Sequence, residues 1–310
     1  MRVSILTPPR LGGPFYWARD LAESLNERGI KSEHVHQIRR LLLSPLYHNF
    51  DIVHTTVPFP FKLWQKPVIL TILGDYTDEP NIWQRFVPKT IAQANAITVP
   101  SQLLRQKLGL NEAVVIPNAV FPERFKPAQH GARDELKLVT IMNFYFPNKV
   151  KGLLNIIEVL NKIQSYRFTY TIIGGGQYLD TIKYQSGGTK VDVTFTGFLQ
   201  DPKPVLATSD IFLYYSYHDA FPIVILEAMA CGLPMVTNNV GAVSEIIDNA
   251  ENGYIAEGDE DYLKHLLNLL GDYELRRRIG QNARAKVEEK FSWHTVTPEY
   301  IKLYNKLLTS

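Results

Sequence analysis

The sequence predicts an α/β protein made of two doubly wound domains that face each other across a cleft. Three observations carry that prediction. Short apolar runs of strand length alternate with longer amphipathic segments along the chain, the pattern of βαβ units and parallel sheets. The alternation breaks once, over residues 117–137. There Pro117, Pro122 and Pro127 are followed by the polar stretch 129–135, the composition of a linker. The chain has 310 residues, long for one core and comfortable for two.

Before the break, residues 3–7 read as a buried strand and 15–28 as the helix after it. Residues 52–54, 68–72, 96–99 and 114–116 read as further strands. After the break, 138–142, 168–173, 191–195, 211–214 and 235–237 read as strands. Residues 153–163, 222–231, 262–270, 273–290 and 294–308 read as helices, each with apolar positions at helical spacing. Ligands of doubly wound sheets sit at the carboxyl ends of the strands, so the loops that follow these strands are where chemistry is sought.

Composition narrows the class. The chain is 45% hydrophobic and 21% charged, as expected of a globular protein. Its single cysteine, Cys231, excludes an internal disulfide framework and a multi-cysteine metal site. The apolar run at the start is too short for a signal peptide, and no later run is long enough to span a membrane. A cytoplasmic location is expected. Residues 1–130 hold 15 Lys/Arg against 10 Asp/Glu and the remainder 18 against 21, so the first part is mildly basic. That suits an anionic partner or ordinary surface scatter, but there is no dense basic stripe of a nucleic-acid binder.

The densest motif runs Ser216-Tyr-His-Asp219-Ala220-Phe221-Pro222-Ile223-Val224-Ile-Leu-Glu227-Ala-Met-Ala-Cys-Gly232-Leu-Pro234. Pro222 suits the first turn of a helix, where a missing N–H costs nothing. Unpaired N–H groups and the positive dipole end at such a start favour a diphosphate. Glu227 lies in an apolar run, and a confined carboxylate needs strong donors. Two vicinal ribose hydroxyls can supply them; a solvent-facing or salt-bridged Glu is the alternative.

These residues resemble the retaining glycosyltransferases of the GT-B fold, the group called family 4 or glycosyl transferases group 1. The family's hallmark is an acidic residue, seven residues, then Glu; Asp219 and Glu227 match it, with Asp in place of the commoner Glu. Gly241 and Glu245, Asn252-Gly253, Thr196-Gly197-Phe198 and the interdomain segment 115–127 fit further family elements. The resemblance covers most of the chain and is densest in the second half. It implies two Rossmann-like domains: residues 1–128 on the acceptor side, with the C-terminal helix 292–310 available to pack back on them, and 129–291 binding the nucleotide sugar.

The resemblance also implies roles. Glu227 binds the donor ribose, and Asp219 contacts sugar hydroxyls, with helix capping as its alternative. Lys151, in Lys149-Val-Lys151-Gly152 just before the helix 153–163, meets the donor phosphates, with Lys149 as its understudy. Cations there oppose the helix dipole unless a bound diphosphate reverses the penalty. Gly12-Gly13 border the active site, and Gly174 and Gly176 form a glycine turn near the nucleotide. With Asn143, Ser216, Ala220, Phe221, Pro222, Ile223 and Val224 they complete the expected donor site, in which Asp219, Lys151 and Glu227 carry catalysis. Two positions depart from the family. Asn143 stands near the place of a usual Arg, and Leu73-Gly74-Asp75 replaces a usual His-Gly.

The expected function is sugar transfer from a nucleoside-diphosphate sugar, such as a UDP- or GDP-sugar, to a glycan, lipid-linked or small-molecule acceptor. No cofactor is expected, and no metal, because no ligand cluster was found. The aromatic loops 58–61 with Trp64, Trp83 with Phe86, and the segment 39–43 suit a stacked glycan or the inner face of a membrane, or simple packing. Two rival functions stay open. One is a nucleotide-sugar epimerase on the same architecture. The other is a nucleotide-sugar-binding subunit that has lost its chemistry.

Overall fold

The computed structural model describes residues 1–8, 12–37, 49–58, 66–77, 85–127 and 134–309. Two units divide the chain, Met1–Ala119 with Phe291–Ser310, and Val120–Lys290. The sequence reading set its first boundary at 128/129; the contacts divide at 119/120, so the Pro-rich segment after Ala119 belongs to the second unit.

The first unit holds a six-stranded parallel sheet in the order β2-β1-β3-β4-β5-β6. Its strands are β1 (Arg2–Leu6), β2 (Lys31–Val35), β3 (Ile52–Thr55), β4 (Val68–Thr71), β5 (Ala96–Val99) and β6 (Val114–Val115). Helix α1 (Gly13–Glu27) follows β1, α2 (Val87–Gln93) precedes β5 and α3 (Gln102–Lys107) follows it. Strands β3 and β4 are buried along their whole length, and their apolar starts, Ile52-Val53 and Val68-Ile69-Leu70, mark them in the sequence. Strand β2 escaped the sequence reading because it is the edge strand. Only Val35 of Lys-Ser-Glu-His-Val is buried, so no apolar run marks it.

A buried polar chain ties the last helix to this sheet. His54 is fully buried; Nδ1 meets the Tyr304 hydroxyl at 2.7 Å and Nε2 the Thr71 hydroxyl at 2.5 Å. Thr71 in turn bonds Thr98 at 2.5 Å. Burial holds the imidazole far below its usual range, at about 3, so it is neutral. Thr297 donates to Ser24 on α1 at 2.8 Å, and the rings of Trp17 and Tyr300 meet edge to face.

The second unit holds another six-stranded parallel sheet, ordered β12-β11-β10-β7-β8-β9. Its strands are β7 (Glu135–Ile141), β8 (Arg167–Ile173), β9 (Asp192–Gly197), β10 (Ile211–Tyr214), β11 (Met235–Asn238) and β12 (Tyr254–Ala256). Its helices are α4 (Pro147–Asn161), α5 (Leu179–Gln185), α6 (Lys203–Leu206), α7 (Ile223–Ala230), α8 (Val243–Ile246), α9 (Asp259–Gly271) and α10 (Tyr273–Lys290). The chain returns to the first unit with α11 (Trp293–Thr309). Numbered from the start of this unit, the strands run 3-2-1-4-5-6, the Rossmann order. The order in which strands are added reverses between β7 and β10, which pair directly and in parallel (Leu138 with Ile211, Val139 with Phe212). The loops leaving those two strands therefore border the crevice where such sheets bind ligands.

Helix α4 begins well ahead of its expected start. The sequence reading started it at residue 153; α4 starts at Pro147, whose ring suits the first turn. Lys149 and Lys151 are therefore inside the helix and not ahead of it. Val150, Leu153, Ile156, Ile157 and Leu160 face the core. Gly152 lets α4 press onto the loop after β10: a Cβ there would lie 2.0 Å from the Tyr215 carbonyl oxygen.

Candidate active site

At the crevice of the second sheet, Lys149 of α4 meets Asp219 from the loop after β10. The ammonium lies 2.6 Å from Asp219 Oδ2 and 3.2 Å from the hydroxyl of Tyr214, the last residue of β10. The Tyr214 hydroxyl donates to the same Oδ2 at 2.5 Å, and Asp219 Oδ1 accepts the Ala220 N–H at 3.0 Å. The side chains of Lys149 and Asp219 are 11% and 17% exposed, so this pair is largely withdrawn from solvent. Burial alone would raise Asp219. The Lys149 ammonium overcomes it, helped by hydrogen bonds from Lys149, Tyr214 and the Ala220 N–H, and holds Asp219 below the usual carboxylate range. Burial likewise opposes the charge on Lys149, but Tyr214 and Asp219 outweigh it and the ammonium is held above its ordinary range. Burial, then the charge of Asp219, keeps the Tyr214 hydroxyl protonated.

Lys149 shares the helix face of Leu153, Ile156 and Leu160, at spacings of four, seven and eleven residues. Lys151 lies on the exposed face, its ammonium 4.4 Å from the centre of the Tyr217 ring. Asp219 caps no helix: α7 is preceded by Pro222, and no side chain caps it. Pro222 thus sits one position before the first helical residue, with its carbonyl accepting the Ile225 N–H at 3.0 Å.

The remaining expected residues fall into three groups. Ser216 is buried; its N–H reaches Asn238 Oδ1 at 3.0 Å, and its hydroxyl and His218 brace the loop. Ala220 accepts the Ala242 N–H at 2.8 Å, which joins the loop of Asp219 to the loop after β11. Phe221 is buried, Ile223 and Val224 are half-buried, and Glu227 is half-buried one turn into α7. Four residues beyond Glu227, the Cys231 thiol is pushed up to about 12 by burial, with Glu227 adding to it. Gly174 and Gly176, both at positive φ, let the loop after β8 lie against the loop after β7. Phe144 donates its N–H to the Gly175 carbonyl at 2.9 Å, and a Cβ on Gly174 would stand 1.7 Å from the Met142 carbonyl oxygen. Asn143 is exposed on that loop.

Gly12 and Gly13 belong to the first unit, at the start of α1, with open space where a Cβ would stand. Asp75, beside Leu73, is already committed. It accepts the Thr77 N–H at 2.8 Å and hydroxyl at 2.5 Å and pairs with Lys107 at 2.6 Å. Residues 39–43, 59–64 and 83 lie outside the described residues. One Asp-x-Asp, Asp259-Glu260-Asp261, escaped the sequence reading. It forms the first turn of α9, where Asp259 accepts from Asn155 at 3.3 Å and Asp261 lies 3.2 Å from His265. Among the described residues no group of three or more His, Cys, Asp or Glu could hold a metal. No helix among them is long and apolar enough to cross a membrane.

A family profile described as Glycosyl transferases group 1 matches residues 123–286, more than half of the chain. The chain belongs to that family. The match runs through the whole sheet that carries Lys149, Asp219 and Glu227. Among its relatives, the group 1 chain is 31% identical over 186 residues to N-acetyl-alpha-D-glucosaminyl L-malate synthase of Bacillus anthracis, covering 58% of this chain and 48% of that one. It is 32% identical over 274 residues to a sulfoquinovosyl transferase of Arabidopsis thaliana, covering 84% and 51%. The matched region thus spans about half the length of these relatives. The fold matches that of Anabaena HepE, solved in complex with UDP, with a TM-score of 0.80 at 17% identity over 99% of this chain and 100% of that one. A sucrose-phosphate synthase from Thermosynechococcus elongatus gives 0.78 at 15% identity, over 99% of each. These likenesses show that this group 1 chain has the fold of GT-B glycosyltransferases.

Proposed function

We propose that the protein is a retaining glycosyltransferase that moves a hexose from a nucleoside-diphosphate sugar to a glycan, lipid-linked or small-molecule acceptor. One observation carries the reading. A lysine and a carboxylate are held together at the switch point of a Rossmann-ordered sheet, eight residues ahead of Glu227 on the next helix. A diphosphate leaving group needs positive charge as its bond to the sugar breaks. Lys149, in the first turn of α4 at the positive end of its dipole, supplies it in a site already shielded from water. Asp219 accepts from sugar hydroxyls, and Glu227 from the ribose. UDP is the first nucleotide to try, since HepE was solved with it. The acceptor is assigned to the first unit and same-face attack to the reaction, both from the family resemblance.

Catalysis in this reading takes its positive charge from the chain and uses no metal. Turnover should therefore survive excess chelator, and a loss restored by manganese or magnesium would refute the metal-free step. A thermal-shift screen of nucleotides and nucleotide sugars tests the donor reading. Ligand at about 100 times its dissociation constant adds roughly 2.7 kcal/mol of stability. A donor converted to an isomeric nucleotide sugar without acceptor would make the protein an epimerase. A donor bound and never consumed would make it a binding subunit.

A further inference from the structure

Tyr214 has a role that neither the motif nor the family likeness assigns. It ends β10, 1% exposed, with its ring nearly parallel to that of Phe212 (centroids 6.4 Å apart, 8° between planes). Its hydroxyl has one proton and lone pairs to accept. The proton goes to Asp219 Oδ2, and the oxygen accepts from Lys149 Nζ. We propose that Tyr214 is the positioning residue of the donor site, holding the Lys149 ammonium and the Asp219 carboxylate in one register through its hydroxyl.

Counting hydrogen bonds shows what that register leaves over. Asp219 Oδ2 takes Lys149 and Tyr214, which fills its two lone-pair sites, and Oδ1 takes the Ala220 N–H, which leaves one. Lys149 spends two of its three N–H groups on Asp219 and Tyr214. One acceptor site and one charged donor remain, the complement of a sugar hydroxyl and a phosphate oxygen. An aliphatic residue at 214 would leave the ammonium with a second uncommitted donor and the carboxylate with a second uncommitted acceptor, and neither would be fixed. The inference rests on the donor reading above.

The groups that set the charge of Asp219 are few. From α4 it is faced by Lys149, from β10 by Tyr214, and from its own loop by the Ala220 N–H. The neighbouring His218 turns its ring toward Phe146, 6.0 Å between centroids. From the loop after β11 the approach is backbone, at Gly241.

Tyr214→Phe in the full chain keeps the ring and removes only the hydroxyl. The carboxyl carbon of Asp219 is followed by NMR in aspartate-labelled protein and assigned by its loss in Asp219→Asn. Its titration midpoint should rise by about one unit in Tyr214→Phe, as expected when a hydrogen bond to the charged form is lost. A midpoint unchanged from wild type overturns the proposal, because a residue that only fills space would not move it. UDP affinity is measured on the same samples by calorimetry and should fall several-fold in Tyr214→Phe; equal affinity also overturns the positioning role. A wild type that binds no UDP refutes UDP as the nucleotide, and the carboxyl titration still decides the Tyr214 contact. Should Tyr214→Phe show no melting transition, the wild-type hydroxyl proton decides. A slowly exchanging downfield resonance is expected, and rapid exchange overturns the contact.

Discussion

At the scale of the residue, the site is an ion pair rather than a lone cation. Asp219 neutralises Lys149, so the pair offers the diphosphate a hydrogen-bond donor with its charge already partly spent. Lys149→Ala should weaken UDP binding by about 1.5–3 kcal/mol, the worth of a charge-assisted hydrogen bond. Lys151→Ala, on the exposed face, should cost far less. Asp219→Asn should act in the opposite direction on the nucleotide, tightening UDP by about 1 kcal/mol while it lowers sugar transfer. Calorimetry with UDP reads all three, and weaker UDP binding by Asp219→Asn would refute the pairing argument. Glu227→Gln keeps the size but turns one acceptor oxygen into a donor. It should lose about 1–3 kcal/mol toward ribonucleotides and nothing further toward 2′,3′-dideoxy nucleotides. A wild-type preference for ribose in that variant would remove Glu227 from the site.

At the scale of the element, the glycine in α4 decides whether the pair forms. Replacing a glycine inside a helix by alanine ordinarily stabilises by about 1 kcal/mol. At Gly152 the added carbon would fall 2.0 Å from a backbone oxygen of the loop after β10, so helix or loop must move. Overpacking of this kind costs about 1–3 kcal/mol. Gly152→Ala should therefore lower the melting temperature and weaken UDP binding together, since the displaced helix carries Lys149 away from Asp219. A raised melting temperature with unchanged UDP affinity would show that the approach is not tight.

At the scale of the whole molecule, the last helix joins the first unit through a neutral buried histidine. His54 binds its proton only near pH 3 when folded and near 6.5 when unfolded. Between those values the unfolded chain holds the extra proton, so stability falls as the pH falls, by up to about 1.4 kcal/mol per pH unit from this group. At pH 7 and above the imidazole is neutral in both states and contributes no slope. Denaturant melts of wild type and His54→Gln from pH 7 to 4 should diverge in slope by about that amount. Parallel curves would mean that His54 takes up its proton in the folded state.

The sequence by itself determined the architecture and the outline of the site. Buried parallel strands such as β4 and β10 announce themselves as apolar runs, and the spacing of Asp219, Glu227 and Gly232 is a local property that survives without coordinates. Lys149 was half legible. Extending the spacing of Leu153, Ile156 and Leu160 backwards places residue 149 on the core face and 151 opposite, but a helix begun at 153 hides that phase. Tyr214 was not legible, because both faces of β10 are buried and its residues show no alternation to single out the tyrosine. The edge strand β2 was lost for the opposite reason, too few buried side chains to leave a pattern. Only the tertiary structure decided which lysine meets Asp219, and that a tyrosine joins them. A contact between residues 149 and 219 depends on how closely a helix can approach a loop. That distance is set at Gly152 by what lies opposite it in space, which no local pattern records.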